Sequence, residues 1–166
     1  MAERLAPQLT SARLPPQATP ESAEFWAGLR RHELRIQRCR ACGRHYFYPR
    51  PFCPQCWSTD VEWDTASGRA TLESYVVSYR PAPGFEDRVP YVIAVVTLAE
   101  GPRMMSNVVG VGLDAATPAE RIAELLPADL PLEVLFEGAG TLADGEPLVL
   151  PLFRPSSAES SATNGG

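Results

Sequence analysis

Four cysteines carry the clearest chemistry in this sequence. They run Cys39-Arg-Ala-Cys42, then ten residues, then Cys53-Pro-Gln-Cys56. Each pair can close a tight knuckle, and Gly43 after the first pair and Pro54 inside the second suit such turns. Two knuckles facing each other present four thiolates to one ion, the tetrahedral set that zinc takes at about 2.3 Å per bond. This uses every cysteine of the chain and leaves none as a nucleophile. It also leaves no coordination position open for water, so the metal is structural. Cys39, Cys42, Cys53 and Cys56 are therefore the expected ligands of one structural zinc ion.

Little else reads as catalytic. No nucleophile-elbow serine occurs, and Gly138-Ala-Gly140 is too short for a phosphate-binding loop and opens no helix. The two histidines, His32 and His45, lie in or beside the cysteine region and read as surface groups or as supports of the ligands. Asp60, Glu62 and Asp64 alternate, which places them on one solvated face of a strand. The chain alone is expected not to be an enzyme.

Charge is unevenly spread. The net charge is −5, yet the window 30–50 holds Arg30, Arg31, Arg35, Arg38, Arg40, Arg44 and Arg50 against Glu33 alone. That window carries +6 and the rest of the chain −11. All fifteen basic residues are arginine, which is read as genome composition and nothing more. Arginine forks suit phosphates and carboxylates. Arg38, Arg40, Arg44 and Arg50 are accordingly candidates for binding a phosphorylated ligand or a partner, with Tyr46 or Phe47 available to face a flat ring.

The elements that must position these groups follow from pattern. The chain has 166 residues, 45% of them apolar, enough for one domain or two small ones. No stretch approaches the apolar length of a membrane span, and residues 1–19 lack the apolar core of a secretory signal. A cytoplasmic location with reduced thiols is expected. Residues 1–18 and 155–166 read as disordered tails. A helix is expected over 19–33, with Thr19 as its cap, Pro20 at its first position, and Phe25, Trp26 and Leu29 on one side. That face either packs on its own domain or docks a partner. The cysteine region is expected over 34–65.

Strands are expected at 70–79, 91–98, 103–111, 132–136 and 148–153, with a helix at 118–126 between the third and fourth. Thr117 and Glu120 form a capping-box pattern for that helix. Three strands, a helix and two strands is the order of a five-stranded, partly open barrel, the OB-fold, expected over 66–154. The fold class is thus mostly β: an N-terminal helix, a rubredoxin-like zinc ribbon, and a barrel with one helix between its third and fourth strands.

Several segments together carry a family resemblance. They are Phe25-Trp26-Ala-Gly28-Leu29, Leu34-Arg-Ile-Gln37-Arg-Cys39-Arg-Ala-Cys42-Gly43 and Tyr48-Pro49-Arg50-Pro-Phe-Cys53-Pro54-Gln-Cys56. To these add Ser67-Gly68-Arg-Ala-Thr71-Leu-Glu-Ser74-Tyr75, Pro90-Tyr91-Val92-Ile-Ala94-Val95, Glu100-Gly101, Ser106-Asn107 and Leu152-Phe153-Arg154. From about residue 20 to 154 the chain resembles the zinc-ribbon/OB-fold proteins known as domain-of-unknown-function 35. The resemblance implies a non-catalytic accessory subunit in lipid, steroid or related acyl-CoA metabolism. The implied partner is a thiolase-like, aldolase or MaoC-like hydratase subunit in a hetero-oligomer, with a CoA ester as shared ligand. Where the family has a glycine-containing turn before the fourth strand, this chain reads Asp129-Leu130-Pro131-Leu132.

Two other functions fit parts of the pattern. OB-folds and zinc ribbons also bind nucleic acid, with Tyr75, Tyr79 and Tyr91 available for stacking. Against this, the isoelectric point is near 5.1, whereas phosphate backbones call for broad positive charge. The knuckles also resemble those of rubredoxin, which implies iron and electron transfer, although rubredoxin's pairs lie much further apart in sequence than ten residues.

Overall fold

The computed structural model describes residue 16 and residues 18–82, 87–141 and 145–156. The expected tails lie almost wholly outside these residues. Helix α1 spans Ala23–Arg30, later than the Thr19 start expected from sequence. The reason is local hydrogen bonding. Thr19 N–H donates to Ser22 Oγ at 2.9 Å, and Ser22 N–H donates to Thr19 O at 3.0 Å. The two residues close a turn on each other, and buried Ser22 takes the N-cap position. At the other end, Glu33 N–H reaches Gly28 O at 2.9 Å and His32 N–H reaches Leu29 O at 3.0 Å. These are the paired bonds of a Schellman ending, with His32 left-handed at φ 60° where glycine is usual. The His32 ring then stacks on Phe136 with centroids 5.3 Å apart.

Next comes a three-stranded antiparallel sheet. Its strands are β1 (Arg35–Cys39), β2 (His45–Tyr46) and β3 (Val61–Thr65), in the order β2-β1-β3. The remainder is a closed barrel of β4 (Arg69–Ser78), β5 (Tyr91–Leu98), β6 (Arg103–Val108), β7 (Pro131–Thr141) and β8 (Pro147–Pro155). Helix α2 (Ala119–Leu125) lies between β6 and β7. Around the barrel the order is β4-β5-β6-β8-β7, with β4 paired again to β7. β6 and β8 run parallel and meet at one register pair, Val108 opposite Phe153. Strand count, closure and helix placement are those of an OB-fold.

Period-two burial explains the barrel. In β5, Val92, Ala94, Val96 and Leu98 face inward and alternate with half-buried residues. In β4 a bulge between Leu72 and Ser74 shifts the phase. Ala70 and Leu72 face inward before it, Tyr75 and Val77 pack on the core after it, and Val76 is left exposed. Phe25 and Leu29 of α1, with Leu34 and Ile36, join this same core.

Three further expectations are corrected. The capping box at α2 does not form, because Thr117 Oγ1 bonds the Asp114 carboxylate at 2.8 Å and accepts from Asp114 N–H. β6 stops at Val108 instead of residue 111, and left-handed Gly110 and Gly112 follow it. β7 runs to Thr141, through Gly138 and Gly140, because it pairs along β8 as far as Thr141 opposite Pro147. The Asp129 turn needs no glycine, since Asp129 itself takes φ 59° and its N–H bonds Leu72 O at 3.0 Å.

Gly68 enters β4 at φ +78°, and a Cβ there would lie 2.6 Å from Val134 Cγ1. Gly68→Ala meets both the backbone penalty and the clash, so a loss of about 2 kcal/mol is expected from urea unfolding.

Candidate metal centre and its surroundings

The ribbon is built from two knuckles that repeat one hydrogen-bond pattern. In the first, Cys39 N–H bonds Arg44 O at 2.9 Å and Gly43 N–H bonds Cys39 O at 2.8 Å. In the second, Cys53 N–H bonds Ser58 O at 2.9 Å and Trp57 N–H bonds Cys53 O at 3.0 Å. Both turns need a left-handed residue after the second cysteine. Gly43 supplies it at φ 74° and Trp57 at φ 62°.

The four Sγ atoms lie within 4.8 Å of one another. Cys39 and Cys56 sulfurs stand 3.6 Å apart, and those of Cys42 and Cys53 3.7 Å apart. A tetrahedron with zinc–sulfur bonds of about 2.3 Å has edges of about 3.8 Å, so the set fits that ion. A disulfide would need about 2.05 Å, so the cysteines are not paired as bridges. Cys39 and Cys53 are buried, while Cys42 and Cys56 reach the surface.

The surroundings of Cys53 and Cys56 act on their thiols in opposite directions. Burial opposes charge on Cys53, but the N–H groups of Cys56 and Gln55 and the thiols of Cys42 and Cys56 bring it down to about 7. At Cys56 the Ser58 N–H favours the thiolate. Burial and the hydrogen bonds with Cys39, Cys42 and Cys53 outweigh it and push the group up to about 12.

Around the centre, one of the expected contacts turns inward. Tyr46, expected to face a ligand ring, is only 6% exposed and packs against Cys39 and Cys53. Burial first, then Cys53 and Cys39, push its hydroxyl up to about 12, and it donates to Arg50 O at 3.3 Å. Buried Gln37 accepts from Arg50 N–H at 2.7 Å and ties that loop to β1. His45 Nε2 lies 2.8 Å from Asp64 Oδ2, joining β2 to β3 across β1, and this bond holds the Asp64 carboxyl below its usual range.

The arginine patch is largely neutralised in three dimensions. Register brings Glu62 opposite Arg38, and its carboxylate serves both Arg38 at 3.9 Å and Arg40 at 2.8 Å. Arg30 meets Glu146, and Glu24 serves Arg31 and Arg35. Among the described residues, Arg44 and Arg50 are the members of the window without a carboxylate partner, and both are exposed.

The expected docking trio also separates. Phe25 is 3% exposed and Leu29 is fully buried, so both belong to the chain's own core, because α1 packs on the barrel. Trp26 is half-buried, and its indole N–H has no partner among the described residues. It flanks a 380 Å³ cavity with Phe47, Tyr48, Met104 and Met105, floored by Phe25 and Leu150–Leu152. Phe47, a candidate ring from the sequence, packs on Phe25 at 5.3 Å within this wall. The cavity went unread from sequence, since its walls come from α1, the loop after β2, β6 and β8. Trp57 went unread too, though its place beside Cys56 in the Gly43 position of the repeat was visible.

Two family models match along the chain: the ChsH2 rubredoxin-like zinc ribbon domain over residues 26–62, and the ChsH2 C-terminal OB-fold domain over 63–136. The solved structure of the Ltp2-ChsH2(DUF35) aldolase aligns with a TM-score of 0.67 at 31% identity, covering 86% of this chain and 99% of that one. The chain belongs to the DUF35 family. Another member, a DUF35 domain-containing scaffold protein of Methanothermobacter thermautotrophicus, is 35% identical over 91 residues, 54% of this chain and 68% of the relative. The probable enoyl-CoA hydratase alpha subunit of Thermomonospora curvata is 36% identical over 144 residues, 85% of this chain and 39% of the relative. This DUF35 chain thus spans about two fifths of that hydratase subunit's length. No helix among the described residues is long and apolar enough to cross a membrane.

Proposed function

We propose that this chain is an accessory subunit of an acyl-CoA enzyme, holding one structural zinc ion and binding a hydratase, aldolase or thiolase-like partner. The observation that carries this is the match along nearly the whole DUF35 chain of the Ltp2-ChsH2 aldolase. The names of its relatives, a hydratase alpha subunit and a scaffold protein, support the same role. The closed four-thiolate centre fits it, because such a site folds the protein and leaves no position for a reacting group.

Within this reading the cavity beside Trp26 and Tyr48 is part of the partner-facing surface. Arg44 and Arg50 are the ribbon guanidiniums free to meet CoA phosphates or partner carboxylates. The test is recovery of the tagged chain from its own host at moderate salt, after nuclease treatment. A hydratase, aldolase or thiolase-like subunit at near-equal amount supports the proposal. Nucleic acid or ribosomal protein in its place points to the nucleic-acid alternative. In the recovered complex, Arg44→Glu with Arg50→Glu is expected to weaken CoA-ester binding at least tenfold by calorimetry. An unchanged Kd removes these arginines from the CoA site.

A further inference from the structure

We infer that Trp57 is the anchor by which the ribbon docks on its enzyme partner, its ring entering an apolar pocket on that protein. The inference rests on the accessory-subunit reading and adds the contact residue. Three observations carry it. First, Trp57 sits at a backbone position that disfavours it. The knuckle requires a left-handed residue, and the first knuckle uses Gly43 there. A bulky side chain at φ 62° is an outlier for an L-residue and persists only when something compensates. Second, burial within the described fold does not compensate. Trp57 is 73% exposed, the most exposed large apolar side chain of the described residues. Third, the ring is pre-set: Phe52 stacks on one face, with centroids 5.2 Å apart and planes 17° apart. A ring held on one side and bare on the other loses little freedom on docking.

The occupant is a protein more readily than a free base. The ring is largely open to solvent beyond its stack on Phe52, and a base resting on it would lack a second wall. A concave partner surface supplies that wall. Tryptophan and arginine are the residues that most often dominate protein interfaces. Arg50, two residues before Phe52 and without a carboxylate partner among the described residues, calls for carboxylates at the pocket's rim.

The experiment uses the full chain, the partner subunit identified by the recovery above, and the variants Trp57→Gly and Trp57→Asn, since both residues accept a left-handed backbone. The melting temperature of the free chain and the Kd for the purified partner are measured. Both variants are expected to melt at or above the wild-type temperature and to bind the partner at least thirtyfold more weakly. Wild-type affinity in variants that melt normally overturns the anchor and leaves the accessory reading standing. Failure of the wild-type chain to bind any acyl-CoA enzyme overturns the reading itself, and the anchor with it. CoA alone is then titrated into the wild-type chain while tryptophan emission is followed. Saturable quenching that Trp57→Gly abolishes assigns the ring to a nucleotide and overturns the protein anchor.

Discussion

Cys53→Ser is expected to cost the chain its metal and, with it, the fold of residues 34–65. The ribbon's own apolar cluster consists of Cys39, Tyr46 and Cys53 with Val61 packed against it. So small a core cannot offset the backbone entropy of about thirty ordered residues. Metal binding to four thiolates supplies about 10–16 kcal/mol in comparable small domains and is counted as folding energy. Serine keeps the size of Cys53 but not the soft, readily ionised donor. The variant should bind no stoichiometric zinc, and its remaining three cysteines should react at once with a thiol reagent. A strong chelator should do the same to the wild type. Amide exchange should accelerate through β1, β2 and β3 while the barrel stays protected, because the barrel closes on its own five strands and none of them pairs with the ribbon sheet. Unchanged circular dichroism and full solubility after chelation would show that the ribbon stands without its ion.

The second large effect is expected at Phe153. Its side chain is fully buried in β8, opposite Val134 of β7, and it forms the one register pair with β6, at Val108. Val109 N–H also bonds its carbonyl at 2.8 Å. Phe153→Ala opens a cavity where the sheet closes, and buried Phe→Ala changes cost about 3–5 kcal/mol. Against a total stability of about 5–15 kcal/mol, that is a drop in melting temperature of about 10–20 °C. Met105→Ala, at a position 72% exposed on β6, is the control and should change stability by less than about 0.5 kcal/mol. Equal losses at both positions would contradict this account of the closure.

These expectations show which physics was local enough to read from the chain. The cysteine centre was legible because each knuckle is a four-residue event and the spacing alone fixes the donor set. The barrel was legible because period-two burial in β5 and the order of strands and helix survive in one dimension. What failed was decided by partners distant in sequence or by competition among neighbours. Glu62 neutralises Arg38 and Arg40 only once β1 and β3 are in register. Gly138 and Gly140 read as loop because glycine is a poor strand former, yet the pairing with β8 overrides that preference. Thr19 and Thr117 had the right chemistry for caps, but nearby Ser22 and Asp114 captured their hydroxyls. Tyr46 looked available because nothing in its sequence neighbourhood says that it fills the space between the knuckles.

The contact between α1 and β8 sets an order of events during synthesis. The ribbon is contiguous in sequence, so it can close around its ion as soon as residue 65 has left the ribosome. The helix just ahead of it cannot follow. Phe25 and Leu29 bury themselves in a core that includes Phe153, so they stay uncovered until the last strand, Pro147–Pro155, emerges. For that interval the nascent chain carries a finished metal module with a sticky, unfinished helix at its leading end. Premature release before β8 would therefore yield a zinc-loaded but aggregation-prone fragment, not a smaller working subunit.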